Sequence, residues 1–198
     1  EKLSVKQAVF SALEKVIKPD TILATNTSAI PLEDIAKSLQ DPSRLIGLHF
    51  FNPVPVLPLV EVIWSRHSNQ TLVTRGMQFA GQLGKMPIRC KSSLGFLVNR
   101  ALLPYMFGAI EAVASGENPE KIDQALVDFG MPMGPVELCD QVGLDVCLDV
   151  GMVLGIKPEV EKLLESKCNE NKLGRKTGRG FYEWSENRAI RARESLNS

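Results

Sequence analysis

The sequence predicts an α/β layer in the first half of the chain and an all-α part in the second half. In residues 1–91, short apolar runs rich in β-branched residues alternate with segments whose apolar residues recur at helical spacing. This pattern is typical of a sheet covered by helices. After Lys91 the β signal disappears, and from Gly95 onward the apolar residues recur at helical spacing only. We therefore expect two domains, residues 1–93 and residues 94–198.

The first domain is predicted to begin with an amphipathic helix over residues 3–17, which Lys18-Pro19-Asp20 ends. Four apolar runs then predict buried strands, the last of them weaker than the others. The predicted order is strand 21–25, helix 31–38, strand 45–51, strand 59–64, helix 70–83 and strand 87–91. Gly84 closes the second of these helices, as glycine often does at a helix C-terminus.

The second domain is predicted to consist of helices separated by glycine and proline. An apolar helix follows Gly95 and runs through Val113, and Asn118-Pro119 combines an N-cap with proline at the first helical position. The remaining predicted helices cover residues 119–129, 136–154 and 158–168. We interpret the charged segment 185–198 as a helix-prone linker or surface helix.

The composition is that of an ordinary globular protein, with Lys plus Arg and Asp plus Glu balanced at 23 each. A net charge of zero gives no global basic field, so we expect no nucleic-acid partner. The most apolar stretch, residues 101–114, contains Pro104 and Glu111 and is shorter than the roughly 20 residues that span a bilayer. We therefore expect a buried helix there. The four cysteines form no C-x-x-C pair, so we expect reduced structural thiols and no metal site.

The predicted α/β layer is incomplete as a free-standing sheet, because only one helix precedes its four strands. No G-x-G-x-x-G turn of a dinucleotide-binding site occurs anywhere in the chain. The first residues, EKLSVKQ, have neither a start methionine nor the apolar core of a signal peptide. We therefore expect the chain to begin inside a longer protein.

His49 and Glu61 are candidates for a catalytic pair. His49 lies in the apolar run LIGLHFFNP and Glu61 in the next run, PLVEV, so two adjacent strands could bring them together. A carboxylate on one imidazole nitrogen fixes the tautomer and stabilises the cation, as a general base requires. The alternative is a core histidine bonded to backbone and a solvated Glu61. His67, in a polar stretch, is expected on the surface.

Asn26, Ser28 and Asn99 are further candidates for binding a ligand. Asn26-Thr27-Ser28 follows the first predicted strand, and ligands of open α/β sheets bind beyond the carboxyl ends of the strands. The alternative is that Ser28 only caps the next helix. Asn99 is expected on an apolar helical face, where its amide either has a structural partner or points at a substrate.

Five segments in the same order resemble the 3-hydroxyacyl-CoA dehydrogenases of fatty acid β-oxidation, including the dehydrogenase part of multifunctional proteins. They are NTSAI (26–30), GLHFFNPVPVLPLVEV (47–62), GFLVNRALLPY (95–105), GMPMGPVEL (130–138) and NKLGRKTGRGFYEW (171–184). The resemblance covers nearly the whole chain. It implies the carboxyl-terminal part of a Rossmann-like NAD-binding domain, followed by a helical dimerisation domain that closes over an acyl-CoA. It also implies that the family's glycine turn lies before Glu1.

Position by position, the resemblance implies that His49 is the base that removes the 3-hydroxyl proton and that Glu61 orients it. Ser28 and Asn99 resemble the groups that hold the substrate oxygen near His49. The positions that resemble contacts to NAD are Asn26, Lys6 and Glu1. The implied reaction oxidises (S)-3-hydroxyacyl-CoA to 3-oxoacyl-CoA with NAD⁺.

Two other functional hypotheses stay open. The missing glycine turn favours a catalytically silent module for dimerisation or partner binding. A short-chain 3-hydroxybutyryl-CoA dehydrogenase would keep the chemistry and change the substrate. Pro58 and the tail beyond Trp184 favour a longer multifunctional protein with enoyl-CoA hydratase activity. A bacterial cytoplasm, a mitochondrion and a peroxisome all remain open as the location.

Overall fold

A computed structural model describes residues 2–28 and 30–191, and the contacts within it divide the chain into two units, Glu1–Arg100 and Ala101–Ser198. The predicted boundary between residues 93 and 94 precedes this division and stays a prediction. No helix in the described part of the chain is long and apolar enough to cross a membrane.

The first unit contains every strand and helix predicted for it, with ends that differ by at most three residues. In chain order, the elements are α1 (Leu3–Glu14), β1 (Leu23–Thr25), α2 (Leu32–Ala36), β2 (Leu45–Phe50), β3 (Leu59–Trp64), α3 (Gln70–Gln82) and β4 (Met86–Lys91). A 3₁₀ turn over Pro42–Arg44 stands where Asp41-Pro42-Ser43 leads into β2.

The four strands form one mixed sheet in the order β1-β2-β3-β4. The outer pairs, β1 with β2 and β3 with β4, are parallel, whereas β2 and β3 are antiparallel. An antiparallel pair needs only a short connection, and the proline-rich loop between Phe50 and Leu59 provides it. This register places His49 directly opposite Glu61.

Helices cover both faces of the sheet. Phe10 of α1 and Leu32 of α2 pack with Leu45 and Ile63 on one face. On the other face, side chains of β2 and β3 pack with Val73 of α3. Burial on both faces explains why β2 and β3 are almost continuously apolar in sequence, and it makes the two titratable residues within them, His49 and Glu61, conspicuous.

The second unit is helical and ends in a small hairpin. Its elements are α4 (Val98–Ala114), which begins in the first unit, α5 (Pro119–Phe129), α6 (Pro135–Val142), α7 (Leu144–Leu154), α8 (Pro158–Asn169), β5 (Glu183–Ser185) and β6 (Arg188–Ile190). The core of this unit is formed by apolar side chains of α4, α6, α7 and α8.

Two predictions for this unit were wrong. The single helix predicted over residues 136–154 is two helices, because Gly143 has φ +105°, a backbone conformation that interrupts an α-helix. The segment predicted as a helix-prone extension instead forms the hairpin β5–β6. Its two turn residues, Glu186 and Asn187, both have positive φ, which suits a two-residue hairpin turn. The part of that extension over 192–198 lies outside the described residues.

Asp140 attaches the segment before the hairpin to α6. Its carboxylate is fully buried and accepts hydrogen bonds from the backbone N–H of Phe181 and Tyr182 and from the indole N–H of Trp184, all at 2.9 Å. Burial raises the pKa of Asp140, and the three hydrogen bonds counteract only part of this increase.

Asp123 performs a similar role at the start of α6. Its buried carboxylate accepts the backbone N–H of Val136 at 2.7 Å and of Glu137 at 2.9 Å. The helix has no capping side chain of its own, so Asp123 satisfies N–H groups that would otherwise be unpaired. The Tyr182 hydroxyl donates to the same carboxylate at 2.7 Å and so connects the two buried acids.

We expect Tyr182→Phe to lower the free energy of unfolding by about 1.5–3 kcal/mol, because it removes a hydrogen bond to a buried carboxylate. The matched control is Tyr105→Phe. The Tyr105 hydroxyl is buried and has no hydrogen-bond partner among the described residues, so its removal should leave the free energy of unfolding unchanged or slightly higher. Urea denaturation of the three proteins makes the comparison. Equal losses in both variants would show that the bond to Asp123 does not stabilise the fold.

Candidate active site

The antiparallel register of β2 and β3 forms the centre of the site. His49 Nδ1 lies 2.7 Å from Glu61 Oε2, and both residues are buried, with 5% and 0% of their surface exposed. A carboxylate can only accept hydrogen bonds, so His49 Nδ1 carries a proton and donates a hydrogen bond to Glu61. In a neutral imidazole, the other ring nitrogen, Nε2, then has a lone pair that can accept a hydrogen bond. The alternative of a solvated Glu61 is wrong.

Glu61 is held from a third element, the start of α4. Its Oε1 accepts the backbone N–H of Leu97 and of Val98, each at 2.9 Å, where a helix N-terminus favours negative charge. Burial by itself would raise the pKa of Glu61. The hydrogen bonds from His49 and from these two N–H groups outweigh it, so the pKa lies below its usual value. Glu61 is thus a carboxylate at neutral pH.

A tight turn presents these two N–H groups to Glu61. Gly95 has φ +71° and Phe96 has φ +48°, and a left-handed conformation in a residue other than glycine costs on the order of 1 kcal/mol. The Phe96 ring is buried 5.8 Å from the His49 ring, and the Phe51 ring lies 4.6 Å away, measured between centroids. The two phenyl rings limit the positions that the imidazole can take.

Ser28 and Asn99 join the pair on its open side. Ser28 Oγ lies 3.1 Å from His49 Nε2, and the serine hydroxyl is the donor where the imidazole is neutral, because Nε2 then carries no proton. Asn99 Nδ2 donates to the backbone oxygen of Ser28 at 3.1 Å. The alternative that Ser28 caps the next helix is wrong, since the N-cap of α2 is Pro31. Four of the predicted site residues therefore lie together.

Asn26 follows β1 and is exposed. Its Oδ1 accepts a hydrogen bond from the backbone N–H of Phe50 at 3.0 Å, so the side-chain NH₂ group is not used in this bond. Lys6 is half-buried in α1. Glu1 lies outside the described residues. His67 is exposed, as predicted, and accepts a hydrogen bond from Arg66.

Sequence reasoning missed three contributors to the site. The backbone N–H groups of Leu97 and Val98 have no side-chain signature, although the GF pair before them marks a turn. Cys90 was predicted only as one of four structural thiols. All four cysteines are free. The Sγ atom of Cys90 lies 3.8 Å from Glu61 Oε1. Burial, followed by the nearby Glu61 carboxylate, raises the pKa of this thiol to about 11.

Comparison with known proteins matches both halves of the chain to one family. Residues 1–93 match the family model described as 3-hydroxyacyl-CoA dehydrogenase, NAD binding domain, and residues 95–184 match its C-terminal domain. A probable 3-hydroxyacyl-CoA dehydrogenase of Caenorhabditis elegans is 43% identical over 194 residues, which cover 94% of this chain and 65% of that protein. The fatty acid oxidation complex subunit alpha of Vibrio campbellii is 39% identical over 93% of this chain, but over only 27% of its own length.

Solved structures that resemble this chain include proteins named as dehydrogenases of 3-hydroxyacyl-CoA type. FadB2 of M. tuberculosis has a TM-score of 0.85 and 40% identity, covering 93% of this chain and 68% of that one. A 3-hydroxybutyryl-CoA dehydrogenase from Escherichia coli has a TM-score of 0.85 and 39% identity, covering 96% of this chain and 42% of that one. The chain thus spans about a quarter of the Vibrio subunit and about two thirds of the worm protein. It belongs to the 3-hydroxyacyl-CoA dehydrogenase family.

Proposed function

We propose that this chain supplies the catalytic residues of an NAD-dependent oxidoreductase that converts (S)-3-hydroxyacyl-CoA to 3-oxoacyl-CoA. The observation that carries the proposal is the continuous hydrogen-bond chain Glu61, His49, Ser28. It combines a buried carboxylate, an oriented imidazole and a hydroxyl on the basic nitrogen. Family membership identifies the substrate class that fits this arrangement.

In the proposed mechanism, His49 Nε2 is the base. The Ser28 hydroxyl lies 3.1 Å from this nitrogen, so a substrate hydroxyl would take the place of Ser28 as the donor to the single Nε2 lone pair. The substrate's 3-hydroxyl donates its proton to Nε2, and Glu61 stabilises the imidazolium that results. Ser28 and Asn99 orient the substrate oxygen. NAD⁺, when bound, accepts the hydride that leaves C3 as the C3–O bond becomes a carbonyl.

The residues after β1 fit a nicotinamide. The Asn26 carbonyl oxygen is already bonded to Phe50, so the side chain presents N–H donors, which a carboxamide oxygen accepts. Its position at the carboxyl end of a strand is where α/β sheets bind ligands. We assign Lys6 and Glu1 to the cofactor on the family resemblance alone.

We also propose that the helical unit forms a homodimer, and α7 is the candidate face. Val146, Met152 and Val153 of this helix are 42%, 58% and 50% exposed, and contiguous exposed apolar surface on a soluble domain marks interaction sites. A second copy of the chain is the occupant that the family resemblance supports.

The relatives keep a second substrate class open. The Vibrio relative belongs to a fatty acid oxidation complex, whereas a solved structure of similar fold and identity is named a 3-hydroxybutyryl-CoA dehydrogenase. Parallel rates on C4 and C16 3-hydroxyacyl-CoA separate a short-chain enzyme from a long-chain one. A silent module would form no NADH with either substrate.

NADH formation from (S)-3-hydroxyacyl-CoA and NAD⁺ tests the activity directly. We expect it in the complete product of the gene, because the chain itself contains no glycine-rich phosphate loop. The same assay on residues 1–198 alone shows whether this part is sufficient. A gene product that forms no NADH with any chain length would contradict the oxidoreductase and favour the silent module.

We expect His49→Ala to lower kcat by about 10²–10⁴-fold, the usual contribution of a general base. Glu61→Gln should lower kcat over a similar range, because an amide leaves the imidazolium without its counter-charge. His67→Ala is the matched control, since His67 is exposed and lies outside the site, and its kcat should equal that of the wild type. Normal turnover in His49→Ala would refute the mechanism.

Replacement of Val146 and Val153 by lysine should convert a dimer to a monomer, because charge would be buried in the interface. Analytical ultracentrifugation of the wild type and the double variant measures the effect. Val16→Lys is the control, because Val16 is 80% exposed in the first unit. A wild type that sediments as a monomer, or a double variant that still dimerises, would contradict the assignment of α7.

A further inference from the structure

Cys90 is a buried thiol next to the carboxylate of the candidate site. It lies on β4, whose residues pair with β3, and it is 6% exposed. Its Sγ lies 3.8 Å from Glu61 Oε1 and 3.8 Å from the backbone oxygen of Ile88. A thiol has a single proton to donate. A carboxylate is the stronger of the two acceptors, so the S–H points to Glu61.

The donors around Glu61 are unevenly divided between its two oxygens. Oε2 has one partner, His49, whereas Oε1 accepts from Leu97, Val98 and Cys90. Each donor on Oε1 withdraws negative charge from the carboxylate and so reduces the attraction between Glu61 and a protonated His49. Two of these donors are backbone N–H groups, which only substitution by proline would remove. Cys90 is the one that the choice of side chain controls.

We propose that Cys90 is a positioning residue: its S–H bond to Glu61 weakens the hold of the His49–Glu61 pair on a proton. The inference rests on the proposed function, because it assigns Cys90 to the same general base. Without the thiol, the pair would take up its proton at higher pH, and less of His49 would be available as a base near neutral pH.

The thiol stays protonated over the range in which a histidine titrates. Burial and the Glu61 carboxylate raise the pKa of Cys90 to about 11, so the S–H is present at neutral pH. The titratable groups that face Glu61 are His49 from β2 and Cys90 from β4, while α4 contributes backbone N–H groups. The core cluster on this face includes apolar side chains of α1 and α2.

The test is a pH titration of His49 by NMR, followed at its imidazole Cε1–H in the protein without substrate or cofactor. Cys90→Val removes the donor at a similar side-chain volume, and we expect the midpoint to rise by up to about 1 pH unit, because only the difference in strength of the S–H bond between the two protonation states of the pair shifts the midpoint. Cys90→Ser keeps a donor and should return the midpoint toward the wild-type value. Cys147→Val is the control, because that buried thiol bonds to the Cys139 backbone in the second unit.

A purely structural role predicts a different result. In that case Cys90→Val would lower the stability to urea and leave the His49 midpoint unchanged, which would overturn the proposal. If Cys90→Val does not fold, the NMR titration is replaced by infrared spectroscopy of the wild-type protein. The S–H band of Cys90 is assigned as the band that is absent from Cys90→Ser. We expect a band at lower frequency than that of Cys147, and an unshifted band would overturn the proposal. Neither measurement requires turnover, so an inactive protein that shows the shift would contradict only the oxidoreductase.

Discussion

The burial of the Glu61 carboxylate is the constraint on which the first unit depends. A buried charge is costly unless it is paired and hydrogen-bonded, and Glu61 has donors from β2, from β4 and from the start of α4. The connection from β4 into α4 must therefore pass through the left-handed turn at Gly95 and Phe96. The same requirement fixes His49 in one tautomer and one orientation. The contacts that satisfy the buried carboxylate are thus the same ones that form the proposed catalytic arrangement.

Buried acids also organise the second unit, but with the opposite electrostatic result. Asp123 and Asp140 each accept three hydrogen bonds and are fully buried, like Glu61, yet burial raises their pKa values, whereas the pKa of Glu61 lies below its usual value. One difference is the partner. Glu61 is paired with an imidazole that can carry positive charge, whereas the hydrogen bonds to the two aspartates come from neutral backbone, phenol and indole groups. The aspartates connect chain segments, while Glu61 is prepared to stabilise a cation.

Much of the site was predictable because its side chains follow simple positional rules. His49 and Glu61 stand out as titratable residues within apolar strands, and strands that are neighbours in sequence often pair. Ser28 follows the end of β1, where ligands of such sheets bind. Leu97 and Val98 were missed because they act through backbone N–H groups, which every residue has. The helix predicted near the carboxyl end was wrong because charged residues do not exclude a hairpin, and the two-residue turn at Glu186 and Asn187 lacks the usual glycine.

The sequence by itself determined the order of the elements, the family and the candidate pair His49 and Glu61, because periodicity, turn residues and motif order are local properties of the chain. The tertiary structure decided which of those residues act together. Strand register brought Cys90 to Glu61, and the turn at Phe96 aimed two amides at one oxygen. These contacts join residues 29 to 37 positions apart in sequence. Whether they form depends on differences of a few tenths of an ångström in atomic positions. No local sequence pattern specifies such differences, and only the packed fold determines them.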